Sequence, residues 1–208
     1  MFYQQNKTIL VHIPKTGGTS LEVEIAKHFL KKESYDFLHE NHTIRGKFEN
    51  LKKDTPKGHR HSFISEYDKY LNLKEYESFV ILREPLSQVL SLYRQLKQNE
   101  EKVSRIMPSL EDFIFGNCRN DLRHYDHYSN QYKFTHINNE LRVNNVFIYE
   151  KYYEAQEFVE KLYNIKINRE SRSMKTIDNG EVLSHDMKEE IKKILPESFD
   201  LYNRFSNK

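Results

Sequence analysis

Apolar runs alternate along the chain with segments whose apolar residues recur every three or four positions. Residues 7–13 predict a buried strand, and the segment that follows it carries Leu21 and Ile25 one helical turn apart. Residues 78–82 and 146–149 predict two more strands, each followed by a helical pattern. This alternation of strands and helices is typical of an α/β fold with a parallel sheet.

Residues that start helices place the helical segments. Thr19 or Ser20 is expected to cap the helix after the first strand. Pro85 suits the first turn of another helix, which places Val89 and Tyr93 on one face. We therefore expect a P-loop-like central parallel sheet flanked by helices on both faces, in a single domain over residues 1–208. Further helices are expected within residues 62–71, 110–115, 120–135, 154–163 and 184–205.

Composition limits which partners and which cellular compartment are expected for this chain. The chain has 208 residues, and its 33 Lys and Arg against 31 Asp and Glu leave a net charge of +2, which gives no electrostatic reason to expect nucleic acid as a partner. Cys118 is the only cysteine, so an internal disulfide is excluded and a reducing compartment is favoured. Because there is no signal-peptide pattern and no run of about 18 apolar residues, a cytoplasmic protein without a membrane span is expected.

The stretch after the first strand, VHIPKTGGTS, has the chemistry of an anion-binding loop. A strand, a glycine-rich turn and a helix N-terminus present backbone N–H groups to one point, where the helix dipole adds positive charge. Gly17 and Gly18 allow an anion to approach the backbone, and Lys15 adds a full charge. The hydroxyl groups come from Thr16, Thr19 and Ser20. The alternative is a plain strand–turn–helix junction that binds no ligand.

The order of residues in this loop separates it from the common ATP and GTP loop. In GxxxxGK[ST] the lysine follows the glycines and the Ser or Thr binds Mg²⁺, whereas Lys15 precedes Gly17 and Gly18. The second strand is followed by Arg83, where a magnesium site would need an acidic residue. A sulfuryl group carries a single negative charge during transfer, so a lysine and backbone donors suffice without a metal. The loop therefore favours sulfuryl transfer over phosphoryl transfer.

VHIPKTGGTS resembles the 5′-phosphosulfate-binding loop of sulfotransferases that use 3′-phosphoadenosine 5′-phosphosulfate (PAPS), in particular the carbohydrate branch with heparan sulfate 2-O-sulfotransferase and bacterial relatives. The resemblance extends to REPLSQVLS, because this family binds the 3′-phosphate with an arginine after a strand and a serine eight residues later, here Arg83 and Ser91. An arginine fork and a hydroxyl suit a terminal phosphate. Many relatives read RDPxxR, so Gln88 departs from the pattern, which we interpret as loss of a structural or accessory contact and not of the cofactor site. The alternative is a surface ion pair of Arg83 with Glu84 and a solvated Ser91.

The resemblance also implies a histidine base within a Gly-His segment before the second strand. The stretch PKGHRHSF offers His59 and His61, which the sequence does not separate. The alternative is a basic surface loop with Lys57 and Arg60; a metal site is disfavoured because no further ligands cluster at suitable spacing. His12 is expected to pack against the loop or orient it.

Two further segments carry weaker signals. Relatives often have a late polar segment that closes over the nucleotide, which makes Ser171, Arg172 and Lys175 candidates for cofactor contacts; the alternative is a solvated loop. Residues 123–132, RHYDHYSNQY, combine His and Tyr in a way that suits sugar stacking, and an aromatic stripe in the core is the alternative.

These features lead to one expected reaction and two rivals. PAPS would donate its sulfuryl group to a hydroxyl acceptor, which we expect to be a carbohydrate. His59 or His61 would act as the base, and Lys15 would stabilise the charge on the bridging oxygen. No metal is expected. The rivals are a phosphotransferase with an atypical loop and a non-catalytic module that binds nucleotides or sulfated glycans.

Overall fold

A computed structural model of the chain describes residues 2–3, 7–30, 61–100, 106–117, 120–169 and 180–207. The chain divides into two compact units. The first, the sheet unit, comprises Met1–Leu82 and Lys133–Met174; the second, the helical unit, comprises Arg83–Tyr132 and Lys175–Lys208.

The sheet unit contains a four-stranded sheet that is parallel except at one edge. In chain order the strands of this unit are β1 (Phe2–Tyr3), β2 (Thr8–Val11), β3 (Glu77–Leu82), β4 (His136–Ile137), β5 (Glu140–Leu141) and β6 (Asn145–Ile148). The sheet order is β1-β2-β3-β6, with β2, β3 and β6 parallel and β1 antiparallel to β2. Val11 pairs with Val80, and Leu82 pairs with Ile148. The three parallel strands therefore have their carboxyl ends on the same side of the sheet.

Two of the helices pack on the sheet because their apolar residues lie on one face. The helices of this unit include α1 (Gly18–Leu30), α2 (Ile64–Asp68) and, later in the chain, α7 (Tyr152–Tyr163). Alternate strand residues, Leu10, Phe79 and Ile81, form a buried cluster with Leu21 of α1 and Val159 of α7. Burying a side chain of this size contributes about 1.5–3 kcal/mol.

Two features between the strands of the sheet unit, the start of α1 and a β-hairpin, differ from the sequence-based predictions. α1 begins at Gly18, so the expected capping by Thr19 or Ser20 is wrong: both lie within its first turn. The sequence analysis did not predict the antiparallel β4–β5 hairpin. Its turn residues, Asn138 and Asn139, have positive φ of +51° and +65°. Asparagine tolerates this conformation better than most residues.

The helical unit has its own apolar cluster. Its elements include α3 (Pro85–Gln98), α4 (Leu110–Phe115), α5 (Asp126–Ser129), α6 (Gln131–Thr135, at the boundary of the units), α8 (His185–Ile194) and α9 (Pro196–Ser206). Val89 and Tyr93 of α3 pack with Phe113 of α4 and with Ile191 and Leu195, which confirms the predicted apolar face of α3. In the part of the chain that the structure describes, no helix is both long and apolar enough to cross a membrane.

The prediction of an α/β fold is confirmed, since a parallel central sheet is flanked by helices. The first strand is shorter than expected and ends at Val11. The connections that leave the carboxyl ends of β2 and β3 carry the candidate chemistry.

Candidate functional site

The loop between β2 and α1, residues 14–20, is called the lysine–glycine loop below, and its backbone is unusual. Lys15 and Gly17 both have positive φ, +65° and +86°. A left-handed conformation costs a residue with a Cβ about 1–2 kcal/mol, so the fold holds Lys15 in a strained geometry. The buried Thr16 hydroxyl donates to the carbonyl of Ile13 at 2.9 Å. This hydrogen bond within the segment stabilises the conformation of the loop.

The carbonyl of Gly17 points toward Tyr152. The Tyr152 hydroxyl donates to this oxygen at 2.9 Å, and the N–H of Ser20 donates to it at 3.0 Å. Because the peptide bond between Gly17 and Gly18 is trans, its C=O and N–H point in opposite directions, and the Gly18 N–H points away from Tyr152. The group that would repel an anion is thus bound, and the donor of the same peptide faces the other way.

Two aromatic rings pack against Gly17. A Cβ at this position would lie 2.9 Å from Cε2 of Tyr152 and 3.1 Å from Cε2 of Tyr149, so glycine is required by sterics as well as by its positive φ. Burial, with a further effect of the Tyr149 phenol, raises the pKa of Tyr152 above its ordinary value. The Tyr152 hydroxyl therefore stays protonated at neutral pH and remains a donor.

A buried histidine and a buried carboxylate support the start of α1. Nδ1 of His12 lies 2.5 Å from Oε1 of Glu22, and both side chains are almost fully buried. The His12 ring packs against the lysine–glycine loop, because a Cβ on Gly18 would lie 2.5 Å from His12 Cδ2. The expectation that His12 packs against this loop agrees with the structure, and Glu22 holds its ring in place.

The ring of His61 is oriented by a backbone carbonyl. Its Nδ1 lies 2.9 Å from the carbonyl oxygen of His12, and the two imidazoles meet edge to face with centroids 4.7 Å apart. A carbonyl only accepts, so Nδ1 carries the hydrogen and the lone pair of the neutral ring is on Nε2. This tautomer suits a general base. The other candidate, His59, lies outside the described residues.

The connection between β3 and α3 consists of residues 83–84 and is called the arginine turn below. The N–H of Arg83 donates to Oε1 of Gln131 at 2.9 Å, and Nε2 of Gln131 donates to the Arg83 carbonyl at 2.7 Å. Gln131 is fully buried. A single side-chain amide therefore satisfies both backbone groups of Arg83.

Glu84 caps α3. Its carboxylate oxygens accept from the N–H groups of Leu86 at 3.1 Å and Ser87 at 2.7 Å, and Pro85 has no N–H to offer. Negative charge at a helix N-terminus is favourable, so Glu84 occupies the position where α3 could otherwise bind an anion.

Two other residues of α3 belong to the pattern that resembles the 3′-phosphate motif. Gln88, at the position where many relatives have a second arginine, is fully buried, and its Nε2 lies 3.4 Å from the carbonyl of Tyr128. Ser91 is also buried on α3. Gln88 thus serves the interior of the helical unit.

The aromatic segment 123–132 contributes mainly to the core of the helical unit. Tyr125 is buried in its apolar cluster and Tyr128 packs against that cluster, whereas His124 and His127 are exposed. These positions support a core role for the tyrosines over sugar stacking.

The candidate residues fall into three groups. Lys15, the rest of the lysine–glycine loop and His61 lie in the sheet unit. Arg83 and Ser91 lie in the helical unit. The candidates His59, Ser171, Arg172 and Lys175 lie outside the described residues.

Three supporting residues were not anticipated from the sequence: Glu22, Tyr152 and Gln131. Tyr152 and Gln131 act through hydrogen bonds to distant parts of the chain, and Glu22 acts as a buried glutamate, so no local pattern marks any of the three. Within the described ranges, no three His, Cys, Asp or Glu side chains are grouped so that they could hold a metal ion.

Similarity to known proteins identifies the family of this chain. The solved structures include a similar one, a sulfotransferase from Alicyclobacillus acidocaldarius, which is 13% identical and aligns over 92% of each chain with a TM-score of 0.42. No curated protein matches the sequence. The sequence model of the sulfotransferase family matches residues 1–203, nearly the whole chain. The chain therefore belongs to the sulfotransferase family.

Proposed function

We propose that this sulfotransferase moves the sulfuryl group of PAPS to a hydroxyl of a carbohydrate acceptor. The observation that carries the proposal is the backbone of the lysine–glycine loop. The Gly17 carbonyl is bound by Tyr152 and Ser20, so the Gly18 N–H faces the opposite side together with the start of α1. Backbone donors in this arrangement suit the 5′-phosphosulfate group, and Thr16 and Thr19 add further N–H groups.

In the proposed reaction, the acceptor oxygen attacks sulfur in line with the bond that breaks. Nε2 of His61 takes the hydroxyl proton, a new S–O bond forms, and the bond between sulfur and the bridging oxygen breaks. Lys15 stabilises the negative charge that develops on this oxygen as adenosine 3′,5′-bisphosphate leaves. The hydrogen bond from His61 Nδ1 to the His12 carbonyl supports His61 as the base.

The 3′-phosphate is assigned to Arg83 and Ser91, on the resemblance of REPLSQVLS to the family's motif. Arginine binds a terminal phosphate through two parallel hydrogen bonds. Because Glu84 caps α3, the positive charge at this turn has to come from the Arg83 side chain. Ser171, Arg172 and Lys175 remain proposed contacts to the nucleotide from the resemblance alone.

A thermal-shift comparison tests the donor. The protein is heated with adenosine 3′,5′-bisphosphate, ADP or ATP, each with Mg²⁺ and with EDTA. We expect the bisphosphate to raise the melting temperature most, equally in EDTA, because a ligand that binds only the folded state stabilises it. A preference for ATP with Mg²⁺ would indicate a phosphotransferase and reject the proposal.

Turnover separates an enzyme from a binding module. PAPS labelled in its sulfuryl group is incubated with a panel of oligosaccharides, and transfer of label is measured. His61→Asn keeps a donor for the His12 carbonyl but has no basic nitrogen, so we expect kcat to fall about 10²–10⁴-fold with bisphosphate binding unchanged. The exposed His185→Asn is the matched control. If His59→Asn loses activity while His61→Asn keeps it, His59 is the base; if no acceptor is labelled, the module is favoured.

A further inference from the structure

The buried side chain of Gln131 forms hydrogen bonds with both backbone polar groups of Arg83. Its side-chain oxygen accepts from the Arg83 N–H at 2.9 Å, and its side-chain nitrogen donates to the Arg83 carbonyl at 2.7 Å. The residue is 0% exposed. Both polar ends of a buried amide thus bind the backbone of one residue, as a neighbouring strand would bind it in a sheet.

This contact is made at the point where the sheet's own pairing stops. The last pair between β3 and β6 joins Leu82 to Ile148, and Arg83 is the next residue along the chain. Beyond this last pair, the N–H of Arg83 needs an acceptor and its C=O needs a donor, and Gln131 supplies both. With both backbone groups held, the Cα–Cβ direction of Arg83 is fixed and only its side-chain torsions remain to be set.

We propose that Gln131 is a positioning residue for the Arg83 guanidinium, and that it thereby sets recognition of the 3′-phosphate of the donor. The inference rests on the proposed function, in which Arg83 binds that phosphate. A guanidinium recognises phosphate through two hydrogen bonds of fixed geometry, so a shift at its backbone weakens both. Gln131 itself touches no part of the donor in this proposal.

A purely structural role makes a different prediction. If Gln131 only stabilises the helical unit, its loss lowers the melting temperature and weakens all nucleotides alike. If it positions Arg83, its loss selectively weakens ligands that carry a 3′-phosphate. The informative quantity is therefore the ratio of two dissociation constants, for adenosine 5′-monophosphate and for adenosine 3′,5′-bisphosphate, because the two ligands differ only in the 3′-phosphate.

The test measures both constants by calorimetry in the wild type and in single and double variants. Gln131→Met keeps the length of the side chain without its hydrogen bonds. Gln131→Glu keeps an acceptor for the Arg83 N–H but sets a carboxylate oxygen against the Arg83 carbonyl, and it serves if the methionine variant does not fold. Gln156→Met, at a buried glutamine of α7, is the matched control, and Arg83→Ala is the reference.

We expect Arg83→Ala to abolish the preference for the bisphosphate. Gln131→Met or Gln131→Glu should reduce that preference about tenfold, roughly the effect of one well-placed hydrogen bond, and leave the monophosphate constant unchanged. Adding either change to Arg83→Ala should cause no further loss of preference, because Gln131 acts through Arg83.

Two results would overturn the inference, and they differ in what else they reject. If Arg83→Ala removes the preference and both Gln131 variants keep it, or weaken both ligands equally, Gln131 is structural and the proposed function stands. If Arg83→Ala leaves the preference intact, the assignment of the 3′-phosphate to Arg83 is wrong, and the role of Gln131 falls with it.

Discussion

The lysine–glycine loop and the arginine turn both connect a parallel strand to a helix, yet they treat the helix N-terminus in opposite ways. In the lysine–glycine loop, the helix that follows, α1, has no acidic residue in its first turn, and the Gly17 carbonyl accepts a hydrogen bond from Tyr152. In the second, the carboxylate of Glu84 accepts from two N–H groups at the start of α3. In the proposed function the first helix end binds an external anion, whereas the second is capped by the chain itself.

The difference explains why each connection carries the residue types that it does. A helix end that binds an anion needs backbone exposure, which glycine provides. A capped helix end has no such capacity, so an anion near the arginine turn has to be bound by a side chain, and Arg83 is held at its backbone by Gln131. In the proposed function, the same kind of strand–helix connection thus binds an anion through the main chain in one place and through a side chain in the other.

The largest effect, on turnover, is expected when the lysine–glycine loop loses the positive charge of Lys15. Lys15→Ala should lower kcat about a thousandfold or more, because the charge that develops on the leaving oxygen loses its stabilising cation. The melting temperature should change little, since the positive φ of Lys15 is equally unfavourable for alanine. Label transfer from PAPS and thermal melting measure the two quantities.

Two further variants sharpen this result. Lys69→Ala, at an exposed lysine of the same unit, is the matched control and should keep full turnover. Lys15→Gly should be as inactive as Lys15→Ala but more stable by about 1 kcal/mol, because glycine relieves the left-handed strain. Retained turnover in Lys15→Ala would refute the role given to the lysine.

The second-largest effect is expected when a methyl group is added at the start of α1. Gly18→Ala should lower the free energy of unfolding by about 1–3 kcal/mol, because the new Cβ would lie 2.5 Å from the buried ring of His12. Chemical denaturation measures the change. The arginine turn contains no glycine and so has no equivalent constraint.

The control for this prediction separates sterics from backbone conformation. Gly18 is not among the glycines with positive φ, so the cost of Gly18→Ala is steric. Gly180 is the opposite case, with a positive φ of +82° and no atom of the described residues within 4 Å of an added Cβ, so Gly180→Ala measures a backbone cost without a steric one. In a His12→Ala background, Gly18→Ala should cost less than in the wild type, since the obstructing ring is absent. Equal costs in both backgrounds would show that His12 does not limit this position.

The contrast between the two connections was only partly predictable from the sequence. The strands were recognisable because their apolar residues are contiguous, and Lys15, Gly17 and Arg83 were recognisable because they follow those strands directly. The short edge strand β1 carried no such signal, since it is two residues long.

The supporting contacts were not predictable because their partners are distant in sequence. The separation is 48 residues for Arg83 and Gln131, and 135 residues for Gly17 and Tyr152. Glu22 lies only 10 residues from His12, yet a glutamate in a helix is usually solvated, so its burial could not be inferred. Local patterns thus place the residues that present the chemistry, whereas the residues that orient them depend on tertiary packing.

A smaller effect is expected when the cap of α3 is removed. Glu84→Ala should lower the free energy of unfolding by about 1 kcal/mol, because the N–H groups of Leu86 and Ser87 lose their acceptors. Glu84→Asp, which keeps the charge and is a favoured capping residue, should retain the stability of the wild type. An unchanged stability in Glu84→Ala would remove the basis for treating α3 as a capped helix and would weaken the comparison between the two connections.

The smallest effect is expected at the hydrogen bond that orients the Gly17 carbonyl. Tyr152→Phe should lower the free energy of unfolding at neutral pH by about 1 kcal/mol or less, the usual value for one hydrogen bond. Burial raises the pKa of Tyr152 in the folded state, so its contribution is fully present below the unfolded value of about 10 and is lost as pH rises above it.

The wild type should therefore lose stability more steeply than Tyr152→Phe between about pH 9 and about pH 11, as urea unfolding at each pH would measure. Tyr163, whose pKa is also raised by burial, is present in both proteins, so the difference between the two slopes isolates Tyr152. Parallel slopes would mean that the Tyr152 hydroxyl ionises as freely in the folded protein as in the unfolded chain. In that case a neutral Tyr152 would not be what turns the Gly17 carbonyl away from the proposed anion, and the contrast between the two helix ends would rest on the glycines of the first and on Glu84 in the second.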